Sequence, residues 1–216
     1  MPYLGSPLET APRAVIFDVG RVIIRVDLSR SMQALGKRDG LSHIQVLREL
    51  EADPRWPDWQ EGRMSARDWH AHLSKKLHFS YNFEEFCSIW NSVLYPETIL
   101  PDLLFERLAT KCDLALLSNT DPIHVAHFET NYSFVRLFPV RVYSCRVGSS
   151  KPGAAIYHHA LRELRALPEK TMFIDDMQEN VVAAASLGIN AFHFISADDL
   201  YAEFSRLGLW TFKVVG

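Results

Sequence analysis

The chain has 216 residues, 48% of them hydrophobic and 23% charged, which is the balance of a folded globular protein and excludes a disordered or fibrous one. Its net charge of −3, with both signs interspersed, offers no broad basic face for a nucleic-acid backbone or an anionic membrane, so neither is an expected partner. Cys87, Cys112 and Cys145 are far apart and lack metal or redox spacing, so ordinary reduced thiols are expected.

Residues 1–13 carry prolines and no apolar run, and the apolar stretch that follows is broken by Asp18, Arg21 and Arg25. No signal segment or membrane span is read there, and the expected location is the cytoplasm. Residues 13–19 read as a buried strand. The stretch 27–95 holds four of the five tryptophans, shows no clear strand and reads as helices. Beyond it, helical patterns at 101–111, 122–128, 152–165, 179–187 and 197–207 alternate with apolar runs at 113–118, 140–144, 171–175 and 191–195. Prolines 101, 122 and 152 stand at the openings of three of these helices. The tail 207–215 is compatible with a strand or a packing contact. Alternating strands and helices predict an α/β fold with a mainly parallel sheet covered on both faces. A helical insertion directly after the first strand belongs over the carboxyl ends of the strands, where open α/β sheets bind ligands. The expected division is a core of 1–26 and 96–216 with a helical cap of 27–95.

Four strand ends carry the chemistry. The first closes on Ile16-Phe17-Asp18-Val19-Gly20-Arg21, where Asp18 is a candidate nucleophile or simply a turn or cap residue. The second closes on Ser118-Asn119-Thr120, a hydroxyl and an amide that are candidate anion donors, although Thr120 or Asp121 would cap the next helix better than Ser118. Lys151, ahead of Pro152, is a candidate cation, and alone it reads as surface. The last strand ends in Asp175-Asp176, with Asn180 four residues further on. Adjacent carboxylates are costly without a cation, and a hard divalent ion such as magnesium, which takes oxygen ligands, is the economical partner. Together they supply the parts of phosphoryl transfer: nucleophile, hydroxyl and amide donors, cation, and metal-binding carboxylates.

The order Asp18, Ser118-Asn119, Lys151, Asp175-Asp176 resembles the haloacid dehalogenase superfamily over residues 13 to about 195. Within it, Ile16-Phe17-Asp18-Val19-Gly20 followed by Val22-Ile23-Ile24, then Ser118-Asn119-Thr120, Lys151-Pro152 and Asp175-Asp176-x3-Asn180 look like the alpha-D-glucose-1-phosphatase branch. The segment Trp59-Gln60-Glu61-Gly62-Arg63-Met64-Ser65 is similar to that branch too. The resemblance implies a Rossmann-like sheet with an inserted helical cap and a magnesium-dependent phosphatase of small phosphorylated metabolites, sugar phosphates foremost. A monomer or homodimer is expected, with the sequence leaving the choice open. The resemblance implies Asp18 as nucleophile and metal ligand, and Ser118 and Asn119 as donors to phosphoryl oxygens. Lys151 would neutralise developing charge, Asp175 would orient it, Asp176 and the Gly20 carbonyl would ligate Mg2+, and Asn180 would support the metal site.

The sequence departs from the superfamily pattern at Gly20, where most of its phosphatases carry an acid-base aspartate; the glucose-1-phosphatase branch shares the glycine. General acid-base help is typically worth about 10²–10⁴ in rate, so a good leaving group, such as the anomeric oxygen of a sugar 1-phosphate, is the expected compensation. The alternatives are a catalytically weak phosphate-metabolite binding protein and a 2-haloacid dehalogenase, the latter disfavoured by Asp175-Asp176. A response-regulator receiver places its acidic pair near the start, unlike this chain. His70 and His72 point apart on one helix. His124 and His127 have i,i+3 spacing without a third ligand, and His158-His159 is weaker still. Trp56, Trp59, Trp69 and Trp90 read as cap core, with Trp59 as the specificity candidate; Arg21 has no assigned role.

Overall fold

The computed structural model describes residues 3–4 and 10–211, and within them eight strands and eleven α-helices. The strands are β1 (Tyr3–Leu4), β2 (Ala14–Phe17), β3 (Ile24–Val26), β4 (Leu94–Thr98), β5 (Asp113–Ser118), β6 (Val140–Tyr143), β7 (Thr171–Asp175) and β8 (Asn190–His193). Six of them form one sheet in the order β1-β8-β7-β2-β5-β6, parallel except for β1, which pairs antiparallel with β8. The chain leaves β2 toward β5 and β6 and returns on the other side to β7 and β8. The carboxyl ends of β2 and β7 therefore flank the point where the winding reverses, the usual ligand crevice of such sheets.

The helices are α1 (Leu28–Gly36), α2 (His43–Glu51), α3 (Trp56–Gln60), α4 (Ala66–Lys76), α5 (Phe83–Asn91), α6 (Asp102–Leu108), α7 (Pro122–Asn131), α8 (Ser144–Val147), α9 (Ala154–Leu164), α10 (Gln178–Ser186) and α11 (Ala197–Arg206). In β2, Val15 and Phe17 face one apolar cluster, shared with Leu104 and Phe105 of α6 and Phe204 of α11. Ala14 and Ile16 face the other, shared with Ile156 and Tyr157 of α9 and Val181 of α10. Both faces being covered, the central strands carry apolar residues without a break, and the sequence legibly marks them as strands.

Helices α1 to α5 pack over a third cluster built on Trp59, Trp69, Trp90, Leu35 and Leu73, to which Ile123 of α7 contributes. The rings of Trp59 and Trp69 stack at 5.6 Å, 9° from parallel. Side chains define where these helices start: Ser42 with Gln45 and Asn82 with Glu85 form capping boxes, and Ser65 and Asp27 each accept a backbone N–H. Contacts with α8, the short helix directly after β6, bind this helical layer to the rest of the chain. Ser144 Oγ donates to the Gln60 carbonyl at 2.7 Å, and Gly62, at φ +70°, lies so close to the Cys145 carbonyl that a Cβ would stand 1.9 Å from its oxygen.

Several expected boundaries move. The short strands β3 and β4 pair antiparallel at the two ends of the 27–95 stretch, and β4 runs across residue 95. Three residues in one and Pro96 in the other left no strand signal. Pro152 does not open a helix: it follows a cis peptide bond, and α9 begins two residues later at Ala154, with Gly153 at the cap. Pro101 is a cap residue, and Pro122 alone of the three takes the first helical turn. In the tail, Leu209 is buried and Trp210 packs against Tyr201, and the remainder of the expected 207–215 element, from residue 212, lies outside the described residues. All three cysteines are free thiols; Cys112 is buried, Cys87 and Cys145 half-buried.

Candidate active site

Asp18, Ser118 and Asp175, at or just after the carboxyl ends of β2, β5 and β7, meet Lys151 from the turn before α9. Lys151 Nζ is the hub. It donates to Asp18 Oδ1 at 2.8 Å, to Asp175 Oδ2 at 2.6 Å and to the Leu117 carbonyl at 3.0 Å, all of it buried. Three acceptors at those distances fill the three donors of an ammonium group. Asp175 is equally committed. Its Oδ1 accepts from the Met177 N–H at 2.8 Å, and Asn180 Nδ2 reaches both of its oxygens at 3.0 and 3.1 Å. Tyr157 in turn donates to the Asn180 carbonyl at 2.9 Å.

Asn119 does something the sequence did not reveal. Its Oδ1 accepts from the Lys151 N–H and its Nδ2 donates to the Lys151 carbonyl, both at 2.8 Å, so the side chain clamps the lysine's main chain. One Nδ2 proton is left over from these two bonds, so the side chain that was expected to face a phosphoryl oxygen also positions Lys151. Ser118 is buried and lines the cavity beside Asp18.

Burial pushes the Asp18 carboxyl up to about 7; Lys151 opposes the shift, and the charge of Asp175 adds to it. Burial also acts to lower the Lys151 ammonium, yet Asp18 and Asp175 outweigh it and hold the group above its ordinary value. Asp176 is raised by burial and then by Asp175, against the pull of Arg21 and Lys151. The site is thus short of positive charge. Arg21 Nη1 lies 3.8 Å from Asp176 Oδ2, with the Arg21 backbone in the left-handed region at φ 59°.

Asp18, Asp175 and Asp176 each present an oxygen within 4.8 Å of the others. With both Asp175 oxygens taken, Asp18 and Asp176 are the carboxylates left for an ion. Asn180 Oδ1 is buried without a hydrogen-bond partner among the described residues, an acceptor suited to a coordinated water. An all-oxygen donor set with excess negative charge fits a hard cation such as magnesium. Gly20 lines the same cavity, and a Cβ there would meet only Val26 Cγ2, at an ordinary 3.5 Å, so space does not require the glycine.

The chain matches haloacid dehalogenase-like hydrolase over residues 12–188. It belongs to that family. Among curated proteins, it is 24% identical over 188 residues to a D-ribitol-5-phosphate phosphatase of Bacteroides thetaiotaomicron, covering 82% of this chain and 89% of that one. It is 23% identical over 196 residues to the sesquiterpene phosphatase astK of Aspergillus oryzae, covering 85% and 90%. A haloacid dehalogenase family enzyme of Bacteroides thetaiotaomicron, solved with magnesium and inorganic phosphate, superposes at a TM-score of 0.77. That pair is 24% identical and covers 90% of this chain and all of the other. No helix of the described residues is long and apolar enough to cross a membrane.

The other residues singled out in the sequence sort themselves by geometry. Trp59 is fully buried and does not line the cavity, whereas Trp56 and Trp90 do; the specificity candidate was misplaced because a helix's inward face cannot be told from its cavity face by spacing. His70 bonds the Tyr81 carbonyl and His72 bonds Asp53, on different sides as expected. His124 is no metal ligand: one ring nitrogen lies 3.0 Å from Asp121 Oδ2 and the other 3.2 Å from the Trp90 carbonyl. Asp121 also accepts from Trp90 Nε1 at 2.9 Å and caps α7. This buried knot between α5 and α7 was missed, although an Asp-Pro before a helix signals the cap. His127 lies against Tyr132 and Asn131.

Proposed function

We propose that this hydrolase is a magnesium-dependent phosphatase of small phosphorylated metabolites, with Asp18 as the nucleophile that carries the phosphoryl group and residues 27–95 as a cap over the site. The observation that carries the proposal is the Asp18–Lys151–Asp175 chain, of which Asp18 and Lys151 line, with Ser118 and Asp176, one cavity of about 340 Å³. The phosphatase names of two of the curated relatives support it, and the sugar-phosphatase-like motifs point to the same class.

Lys151 holds Oδ1 of Asp18, leaving Oδ2 to form the new bond to phosphorus as the bond to the ester oxygen breaks. The departing oxygen takes a proton from solvent, and a water then attacks the aspartyl phosphate, releasing inorganic phosphate and regenerating Asp18. Two anions can approach only where fixed positive charge is already arranged, and Asn119 and Asp175 serve that end by fixing Lys151 at both its main chain and its ammonium. Ser118 and the remaining Asn119 proton are the donors toward phosphoryl oxygens. Asp18, Asp176 and the Gly20 carbonyl would hold the magnesium ion, which when bound supplies the further positive charge that the raised carboxylates call for.

Phosphate release from aryl, alkyl, sugar and nucleotide monophosphates, with and without magnesium, tests the proposal, with Asp18→Asn as control. Release that needs magnesium and disappears in the variant is expected; equal release by the variant would sink it. Gly20 favours one second reading, a binding protein that holds phosphorylated ligands and turns them over poorly, which tight binding without release would support.

A further inference from the structure

The cavity is polar mainly on the side of the strand ends. Of the ten residues between 27 and 95 that line it, eight are apolar, and the two polar ones are Glu51 and Gln60. Leu28, Leu47 and Trp56 are half-buried side chains of three different helices, α1, α2 and α3, that face this space. Val26 and Phe128 continue the same surface onto the core.

Beyond the Glu51 and Gln60 side chains, the polar groups behind that wall are engaged elsewhere. Trp90 Nε1 donates to Asp121, both ring nitrogens of His124 are taken, and the Gln60 carbonyl accepts from Ser144. A polyhydroxylated leaving group moved here from water would exchange several hydrogen bonds for contacts with methyl groups and indole faces, which is unfavourable wherever the lost bonds are not replaced. A hydrocarbon or aromatic group gains from the same transfer.

We infer that the substrate is a phosphate monoester of an apolar alcohol or phenol, its phosphate at Asp18 and Lys151 and its hydrocarbon part against Leu28, Leu47, Trp56 and Trp90. This rests on the phosphatase reading for turnover, but the apolar recognition stands on the cavity wall alone. Specificity is set by α1, α2 and α3, and a sugar phosphate is a poor occupant.

The wild-type protein with magnesium is assayed on a series of n-alkyl phosphates, whose leaving oxygens are alike. Phenyl phosphate is compared with 2-naphthyl phosphate, and glucose 6-phosphate and ribitol 5-phosphate are included. If the inference holds, kcat/KM rises roughly three- to four-fold per added methylene until the cavity is full, and the naphthyl ester exceeds the phenyl one. Leu47→Gln and Leu28→Gln flatten that rise, while Ile44→Gln, an exposed neighbour on α2 outside the cavity, does not. A flat series in the wild type, or sugar phosphates turned over as well as the longest alkyl ester, overturns the inference.

Binding is measured separately through tryptophan fluorescence, with 2-naphthylphosphonate against 2-hydroxyethylphosphonate. If no compound releases phosphate, the phosphatase reading fails and this arm alone decides: preferential binding of the naphthyl compound upholds the apolar site, and equal or reversed affinity removes it.

Discussion

Replacing Lys151 with methionine keeps most of the side chain's apolar stem but removes its ammonium, and with it the charge that two buried carboxylates and a carbonyl share. Losing one partner of a buried ion pair typically costs about 3–5 kcal/mol, because the other is left unpaired in a poor solvent for ions. Two features lower the figure here. Asp175 keeps the Met177 N–H and Asn180 Nδ2 as donors, and Asp18, already raised to about 7, can take up a proton. A loss of about 2–3 kcal/mol at neutral pH is therefore expected in urea unfolding without magnesium, smaller when magnesium is added. Activity should suffer more, by about 10²–10³ in kcat or beyond, the usual effect of deleting one preorganised group that stabilises a transition state's charge. Lys151→Arg should not restore it, since a planar guanidinium cannot meet three convergent acceptors in a space made for an ammonium. A Lys151→Met protein as stable as the wild type and within tenfold of its kcat would refute the hub role drawn from the three contacts.

Gly20→Asp has room for its Cβ and should speed hydrolysis of alkyl phosphates relative to aryl phosphates by about 10²; parallel changes in both, or none, would mean that protonation of the leaving group does not limit the reaction. Gly62→Ala sets a methyl against the Cys145 carbonyl at a left-handed backbone position and should lower unfolding stability by about 2–4 kcal/mol, whereas Gly40→Ala, also at positive φ but in open space, should cost less; equal losses would contradict the close-approach argument. Asp53 is buried, and despite that burial its bonds to Lys76, the Arg55 N–H and His72 bring its carboxyl down to about 2. A depressed carboxyl adds stability above its unfolded value, near 4, and loses it as pH falls through the folded one. Asp53→Asn should thus trail the wild type by about 2 kcal/mol at pH 7 and close the gap from pH 4 downward; a gap that does not change with pH would argue against the charge.

The sheet and the order of the chemical groups were legible because local physics marks them. A parallel strand covered on both faces is apolar along its middle, so β2, β5 and β7 stand out, and a carboxylate or hydroxyl at the end of such a run is conspicuous because it has no reason to be there except a turn or a task. Asp18, Ser118, Lys151, Asp175, Asp176 and Asn180 could all be named from the chain, and the structure brings them together. What only the tertiary structure decided were relations between distant segments: that Asn119 spends its amide on Lys151, 32 residues away, that Arg21 faces Asp176, and that Asp121, His124 and Trp90 close on one another. The apolar wall belongs to the same class. Periodicity tells which helical residues avoid water, but whether Leu47 or Trp59 meets protein or an open cavity depends on how five helices are packed, and that is a property of the assembled layer that no single segment encodes.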